Sequence, residues 1–520
     1  MAKLCVNDLS KIENLGIEVP KFDIEKVKEA TLKNPEWLHF GAGNIFRILV
    51  GNTAQKAIEK GKISTGIIAI ESFDKEIIDK VYTPFDNLTL SVTLKSTGEF
   101  VPNVTAGIVH GITTDEYDEM TSYFVNPSLK IVSFTITEKG YALTNANGEF
   151  FPFVEVDFTR EIEKASHVMS IVTAMLYKRF KANATPITLL SMDNCSHNGD
   201  KVKLAVQTIA KKWFENGMVD ENFITYVEEN VSYPLSMIDK ITPRPNDSVK
   251  EELEKMGLEN MDTIVTSKNT YTAPFVNAEE VEYLIIEDNF KNGKLDFSND
   301  RVIFTDRDTV NNVEIMKVTT CLNPLHTALA VTGCLLQKEF ISDEMEDETL
   351  VKLVKKIGYD EGLKVVLDPE IINPKDFIDE VVNIRFPNPY VKDMPQRIAT
   401  DTSQKVGIRF GETIKKYGDN AKDLVGIPLA IASWLRYLIG LNDDLEKMEI
   451  SPDPMLTELQ GIVSKVKIGD TDFDVSSILS NEKIFGLNLY NVGLGQNVEK
   501  YFGEMISKKG AVIDTLKKYL

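Results

Sequence analysis

Short, continuous apolar runs separated by turn residues mark the first 300 or so positions of this 520-residue chain. A strand buried on both faces produces such a run, whereas a half-exposed strand alternates apolar and polar residues. The predicted strands are residues 37–40, 65–70, 129–137, 184–191, 280–287 and 301–305. A helical segment, residues 44–60, follows the first of them. This order predicts an α/β domain built on a mainly parallel sheet.

Beyond Asp308 the apolar positions recur mostly at helical spacing. The helices predicted there are residues 327–339, 345–356, 374–384, 425–440 and 456–466. The sequence therefore predicts two domains, residues 1–308 and a mainly α-helical C-terminal domain over residues 309–520. A chain of this length is too long for one ordinary hydrophobic core.

The first predicted strand runs directly into F-G-A-G-N-I-F-R, residues 40–47. Its two glycines permit a tight turn and a close backbone approach before the helix. Strand, G-x-G and helix form the phosphate-binding start of a Rossmann-type fold, with the helix N-terminus facing the pyrophosphate. An ordinary glycine turn is the alternative, because Phe46 occupies the place of the third glycine. The candidate cofactor-binding residues are Gly41, Gly43, Asn44, Ile45, Phe46 and Arg47.

The second predicted strand is followed directly by an acidic residue, Glu71, 30 positions after Gly41. An acid at about this distance holds the ribose 2′-hydroxyl of the cofactor. Its charge repels a 2′-phosphate, so the sequence favours NAD over NADP. The alternative is a surface glutamate without a ligand.

Net charge and cysteine content limit the possible partners. A formal charge of -21 argues against nucleic acid and anionic membranes. The four cysteines form no C-x-x-C pair and no zinc spacing, so we expect reduced thiols and no metal. No secretory leader and no membrane-spanning apolar run is visible. We expect a cytoplasmic monomer or small homo-oligomer that acts on a small molecule.

The candidate chemistry is concentrated in E-I-M-K-V-T-T-C-L-N-P-L-H-T, residues 314–327. A lysine in an apolar setting, here Lys317, can lose its proton near neutral pH, because burial disfavours the charged form. An amide (Asn323) and an imidazole (His326) can hold the oxygen of an alcohol or ketone. This set fits metal-free proton transfer coupled to hydride transfer. The alternative is an amphipathic core helix with a few polar residues.

Polar segments follow two further strands. T-E-K-G-Y begins at residue 137, and S-M-D-N-C-S-H-N-G-D begins at residue 191. Open α/β sheets bind their ligands beyond the carboxyl ends of parallel strands. The sequence therefore places these segments near the ligand, with an ordinary polar loop as the alternative for each.

These segments together resemble the long-chain polyol-specific dehydrogenases and reductases. Six segments appear in the order typical of that family and span most of residues 40–405. They are F-G-A-G-N-I-F-R, T-E-K-G-Y, D-N-C-S-H-N-G, S-M-I-D-K-I-T-P, K-V-T-T-C-L-N-P-L-H-T and N-P-Y-V-K-D-M-P-Q-R-I-A-T-D-T-S-Q-K. The resemblance implies a Rossmann-type domain with extra strands, a helical domain, and an active site in the cleft between them, with NAD and without metal.

The resemblance also implies a role for each matching residue. Lys317 matches the general acid/base, Asn194 and Asn323 match the amides that polarise the reacting oxygen, and His326 matches the residue that orients substrate hydroxyls. Three further positions match the lining of the substrate pocket: Asp239, Arg397 and Lys405.

The chain departs from the family pattern at three positions. Phe46 stands where the family has a histidine before the arginine. Lys317 lies six residues before Asn323 rather than the usual five, and Pro324 follows Asn323 where glycine is usual.

The last two departures can share one structural cause. On a straight helix Lys317 would point away from His326, and Pro324 would break or kink the helix. We favour a one-residue π-bulge between Lys317 and Asn323, which absorbs the extra residue. The alternative makes Asn323 the N-cap of a new helix with Pro324 at its first position.

The implied reaction is hydride transfer between NAD and a carbinol or ketone carbon of an open-chain sugar derivative. Our substrate hypothesis is the reduction of D-fructuronate to D-mannonate, or the reverse. It rests partly on the family resemblance and partly on charge, because one of Arg397 and Lys405 can pair with a carboxylate while the other holds a hydroxyl. The alternatives are the fructose–mannitol pair, as in mannitol 2-dehydrogenase, and tagaturonate. An NAD-binding regulator without catalysis is the alternative from another class. A zinc-dependent polyol dehydrogenase lacks support, because no Cys/His/Glu set at ligand spacing is present.

Overall fold

The computed structural model describes residues 1–520, which form two compact units. The first unit comprises Met1–Lys95 and Glu99–Val310, and the second comprises Ser96–Gly98 and Asn311–Leu520. None of the helices is both long and apolar enough to cross a bilayer.

A six-stranded parallel sheet forms the centre of the first unit. Its strands are β1 (Trp37–Phe40), β2 (Ile67–Glu71), β3 (Ile108–Thr113), β4 (Ile131–Phe134), β5 (Ile187–Ser191) and β6 (Val231–Ser232). Their spatial order is β3-β2-β1-β4-β5-β6, the order of a Rossmann fold. Phe40 pairs with Ile70 and Phe134, and Phe134 pairs with Ser191, so the carboxyl ends of four strands lie side by side.

The strands are apolar throughout because helices cover the sheet. All residues of β1, β2, β4 and β5 are buried, as the continuous apolar runs predicted. The helical elements that connect or cover the strands are Phe46–Val50 (π), Gly51–Glu59, Ile78–Tyr82 (π), Tyr117–Val125, Val168–Ala182, Asn198–Glu215 and Glu221–Glu229.

Two three-stranded sheets extend the first unit. One comprises Thr89–Leu94, Phe100–Thr105 and Phe275–Glu279, and the other comprises Ser236–Asp239, Tyr283–Glu287 and Val302–Thr305. The strands predicted at residues 280–287 and 301–305 therefore begin at Tyr283 and Val302 and lie outside the central sheet. The first of these sheets was missed, because its strands carry many polar residues and no continuous apolar run.

The second unit is helical. Its main helices are Asn323–Leu335, Glu348–Lys355, Pro374–Glu380, Glu412–Tyr417, Gly426–Leu438, Leu456–Val463, Gly495–Met505 and Ala511–Tyr519. We call Asn323–Leu335 the central helix, since it packs against Gly426–Leu438 and against Pro395–Ile398. The prediction of residues 327–339 placed it four residues too late, because Pro324 is tolerated in a first helical turn.

A π segment, Lys317–Cys321, lies where the sequence predicted one. Its last bond runs from the Leu322 N–H to the Lys317 carbonyl, 3.1 Å. The chain then breaks at Leu322 (φ -127°, ψ -63°), and the central helix begins with Asn323 and Pro324. The extra residue is therefore absorbed by the π segment, and the proline also starts a new helix. The N-cap is Leu322, so the alternative that made Asn323 the N-cap is wrong.

Candidate active site

The glycine turn after β1 is shaped by a close backbone contact. Gly41 has φ +101°, and a Cβ on it would lie 2.3 Å from the Thr135 carbonyl oxygen. Only glycine fits this position. A Cβ on Gly43 would meet no protein atom within 4 Å, so the space in front of Gly43 is open.

Glu71 is joined to this glycine turn. It is buried, and its Oε2 accepts the Ala42 N–H at 2.7 Å. Its Oε1 accepts the N–H groups of Phe73 and Asp74 at 2.8 and 3.1 Å. The carboxylate predicted to hold the ribose thus lies beside the turn predicted to hold the pyrophosphate.

A cavity of about 420 Å³ lies just beyond the ends of β2 and β3. Ser72 and Thr114, each directly after its strand, line this cavity together with Tyr117 and Ile171. The buried Tyr117 hydroxyl has no hydrogen-bond partner in the protein. The glycine turn, Glu71 and this cavity therefore fit a dinucleotide with its adenosine end beside β2 and β3.

Phe46 and Arg47 point into the core rather than toward a ligand. Phe46 stacks on His39, with 3.8 Å between ring centroids, and both are fully buried. Arg47 donates to the hydroxyls of Thr89 and Thr272, and burial lowers its pKa to about 10. These two predicted cofactor-binding residues therefore pack in the core behind the glycine turn. A sequence pattern cannot distinguish this role from direct contact with the cofactor.

Asp193 joins the two polar segments that follow β4 and β5. Its carboxylate accepts the N–H groups of Ile136 and Thr137, at 2.9 and 3.0 Å, and the Tyr141 hydroxyl at 2.6 Å. Burial raises the pKa of Asp193, and these three hydrogen bonds oppose the rise. Asn194, the predicted oxyanion amide, is the next residue. The T-E-K-G-Y segment, predicted near the ligand with an ordinary polar loop as the alternative, forms a short helix, Thr137–Tyr141.

Asn198 joins the same edge to the strand that ends at Asp239. Its side-chain amide donates to the Asp193 carbonyl and to the Ser236 carbonyl, both at 3.0 Å, and its Oδ1 accepts the Ser236 N–H. Asp239 is buried at the end of that strand. Asp193 and Asn198 were missed as supporting residues, although both stand in the D-N-C-S-H-N-G segment.

In the second unit, Lys317 and His326 lie on adjoining elements. Lys317 is 4% exposed, on the π segment that leads into the central helix. Asn323 begins the central helix, and His326 lies one turn later. Another π segment, Gly407–Gly411, packs against both of these elements, and we call it the second π segment of the site. Tertiary packing therefore brings Arg409 to the predicted catalytic residues.

His326 is held beside a carboxylate. Its Nε2 lies 3.1 Å from Asp393 Oδ2, although the ring does not aim an N–H at that oxygen. Burial lowers the pKa of His326, and the charges of Arg409 and Arg385 lower it further, while Asp393 raises it. The ring is therefore neutral near pH 7.

Arg397 and Lys405 are both engaged within the second unit. Arg397 donates through Nε and Nη2 to Asp393 Oδ1, with the Nε contact at 3.0 Å. Burial raises the pKa of Asp393, but His326 and Arg397 lower it more. Lys405 donates to the Thr400 carbonyl, and burial, followed by the charge of Arg409, lowers its pKa.

Comparison with known proteins agrees with this fold. The mannitol dehydrogenase Rossmann domain matches residues 35–299, and the mannitol dehydrogenase C-terminal domain matches residues 309–505. The chain therefore belongs to the mannitol dehydrogenase family, whose members are dehydrogenases acting on CH–OH groups.

A D-mannonate oxidoreductase of Thermotoga maritima is 49% identical over 99% of this chain and 97% of its own. Two solved structures share the fold at 24% identity. A D-sorbitol dehydrogenase has a TM-score of 0.81 and covers 95% of this chain and 96% of its own. The Pseudomonas fluorescens mannitol 2-dehydrogenase, a ternary complex with NAD and D-mannitol, has a TM-score of 0.72 and covers 99% of both chains.

Proposed function

We propose that this protein is an NAD-dependent reductase of a keto-sugar acid, converting D-fructuronate to D-mannonate and the reverse. The observation that carries the proposal is the charge around His326. Four cations act on His326, Asp393 or Lys405, namely Arg385, Arg397, Lys405 and Arg409, against the three carboxylates of Asp393, Asp401 and Asp453. A site with excess positive charge suits an anionic sugar better than a neutral one. The name of the 49% identical relative supports the same substrate.

Lys317 is the proposed general acid/base. When bound, NADH supplies the hydride to the carbonyl carbon. Protonated Lys317 donates its proton to the carbonyl oxygen, which becomes a hydroxyl, and neutral Lys317 takes that proton back in the reverse direction. Asn194 and Asn323 donate hydrogen bonds to the oxygen as its negative charge develops. Neutral His326, which lies beside Asp393, binds a substrate hydroxyl.

Substrate preference tests the proposal. We expect kcat/KM for D-fructuronate to exceed that for D-fructose by roughly 10²-fold or more, because only the uronate offers a carboxylate to the cations. NADH oxidation followed with both substrates, and with D-tagaturonate, measures these ratios. A fructuronate-to-fructose ratio at or below one rejects the uronate assignment and favours a mannitol 2-dehydrogenase. Higher activity with tagaturonate would move the assignment to that uronate.

Glu71 should determine cofactor preference. The wild type should prefer NADH, because the Glu71 carboxylate binds a 2′-hydroxyl and repels a 2′-phosphate. Glu71→Ser should shift the NADH-to-NADPH ratio of kcat/KM by roughly 10²-fold toward NADPH, since a like-charge contact is removed. Glu25→Ser, at an exposed position in the same unit, serves as the control and should leave the ratio unchanged. Equal use of both cofactors by the wild type would show that Glu71 does not contact the ribose.

A further inference from the structure

We propose that Arg409 is the receptor for the substrate carboxylate and thereby determines selectivity for sugar acids over neutral polyols. The inference rests on the proposed function and assigns its substrate selectivity to one residue. The sequence pointed instead to Arg397 and Lys405 for this contact.

Arg409 carries a charge without a carboxylate partner. It lies on the second π segment, and its Nη1 donates to Thr327 Oγ1 at 2.5 Å. No Asp or Glu oxygen lies within ion-pair distance of it. Burial lowers its pKa to about 10, so it remains charged at neutral pH. A partly buried charge without a counterion is costly unless a ligand supplies one.

The other candidate cation of the same type is already engaged. Arg397 uses both Nε and Nη2 on Asp393, and its side chain is 69% exposed. Its guanidinium therefore positions Asp393, which in turn lies against His326. Arg409 instead has only a neutral hydroxyl as its side-chain partner, and its Nε and Nη2 stay available for a bidentate carboxylate contact.

The position of Arg409 suits a substrate that reacts at Lys317. Thr327, its hydrogen-bond partner, is the neighbour of His326 on the central helix. On the helix that continues from the second π segment, Thr413 donates to the carbonyl of Thr319 at 3.1 Å, and Thr319 is two residues after Lys317 in sequence. The carboxylate receptor, the hydroxyl-binding histidine and the acid/base lysine thus lie on three elements that pack together.

The positive field at Arg409 acts on its neighbours. Its charge contributes to the lowered pKa of both His326 and Lys405. A bound carboxylate offsets this repulsion, whereas a neutral CH₂OH group does not. Selectivity therefore follows from the charge of one end of the substrate rather than from its hydroxyl pattern.

D-mannonate and D-mannitol are a matched pair of probes, because they differ only at one end, where mannonate has a carboxylate and mannitol has a CH₂OH group. Calorimetric titration of the full-length enzyme with saturating NADH measures both dissociation constants. We expect the wild type to bind mannonate at least about 10²-fold more tightly than mannitol, and Arg409→Met to reduce this ratio to within a few-fold of one. Lys415→Met, at an exposed position on the adjoining helix, should retain the wild-type ratio.

A second variant distinguishes loss of the Arg409 contact from misfolding. Arg409→Lys restores the charge but cannot form the two parallel hydrogen bonds, so it should recover part of the mannonate preference. An unchanged ratio in Arg409→Met, or a wild type that binds both probes equally, overturns the Arg409 assignment. The rate of fructuronate reduction separates the proposed function from the Arg409 assignment. If fructuronate is reduced efficiently while the ratio is unaffected by Arg409→Met, the proposed function stands and only the receptor is wrong.

Discussion

Lys317→Ala is expected to lower turnover by about 10²- to 10⁴-fold while NADH binding is retained. Lys317 is buried at the start of the π segment. Bulk water does not reach this position and cannot donate the proton in place of the lysine. Cofactor binding should survive, because the glycine turn and Glu71 belong to the other compact unit. Steady-state NADH oxidation and NADH fluorescence titration measure the two properties separately.

The control for this variant is Lys352→Ala, at an exposed position of Glu348–Lys355 in the same unit. It removes a lysine of equal charge without touching the predicted site, so turnover should stay within two-fold of wild type or so. Added primary amines should partly restore activity to Lys317→Ala but not change Lys352→Ala. Turnover by Lys317→Ala within a few-fold of wild type would show that another group transfers the proton.

Glu361→Ala is expected to destabilise the protein by roughly 3–5 kcal/mol. Glu361 is 4% exposed, and its carboxylate accepts the N–H groups of Val425, Gly426 and Ile427 at 2.7, 2.7 and 2.9 Å. These groups begin the helix Gly426–Leu438 and have no other partner at that end. Alanine leaves three buried donors without an acceptor. Urea unfolding monitored by circular dichroism measures the loss.

The same variant should also affect activity, because Gly426–Leu438 packs against the central helix that carries His326. Glu412→Ala is the matched control, since Glu412 forms a partly exposed ion pair with Lys415 at 2.7 Å. Such pairs contribute about 0–1 kcal/mol. If Glu361→Ala unfolds at the same urea concentration as Glu412→Ala, the carboxylate is not a significant cap of this helix.

Local patterns determined the parts of the molecule that depend on neighbouring residues. Continuous apolar runs located β1, β2, β4 and β5 of the central sheet, because both faces of that sheet are covered by helices, but they missed β3 and β6. The glycine turn was predictable from the backbone freedom of Gly41. The π segment was predictable from the six-residue spacing of Lys317 and Asn323 together with the proline that follows, Pro324. The same short motifs, taken in order, identified the family. Strand and helix ends were placed less accurately, as the start of the central helix shows.

Tertiary structure alone decided which polar side chains face one another. Arg409 and Thr327 are 82 residues apart, and their contact depends on how the second π segment packs against the central helix. Arg47 lies within a cofactor-like motif, yet its side chain is buried between Thr89 and Thr272. Periodicity and spacing report on burial and backbone geometry within one element. The direction of a charge relative to distant elements is set by packing, and here packing leaves Arg409 without a carboxylate while it gives one to Arg397.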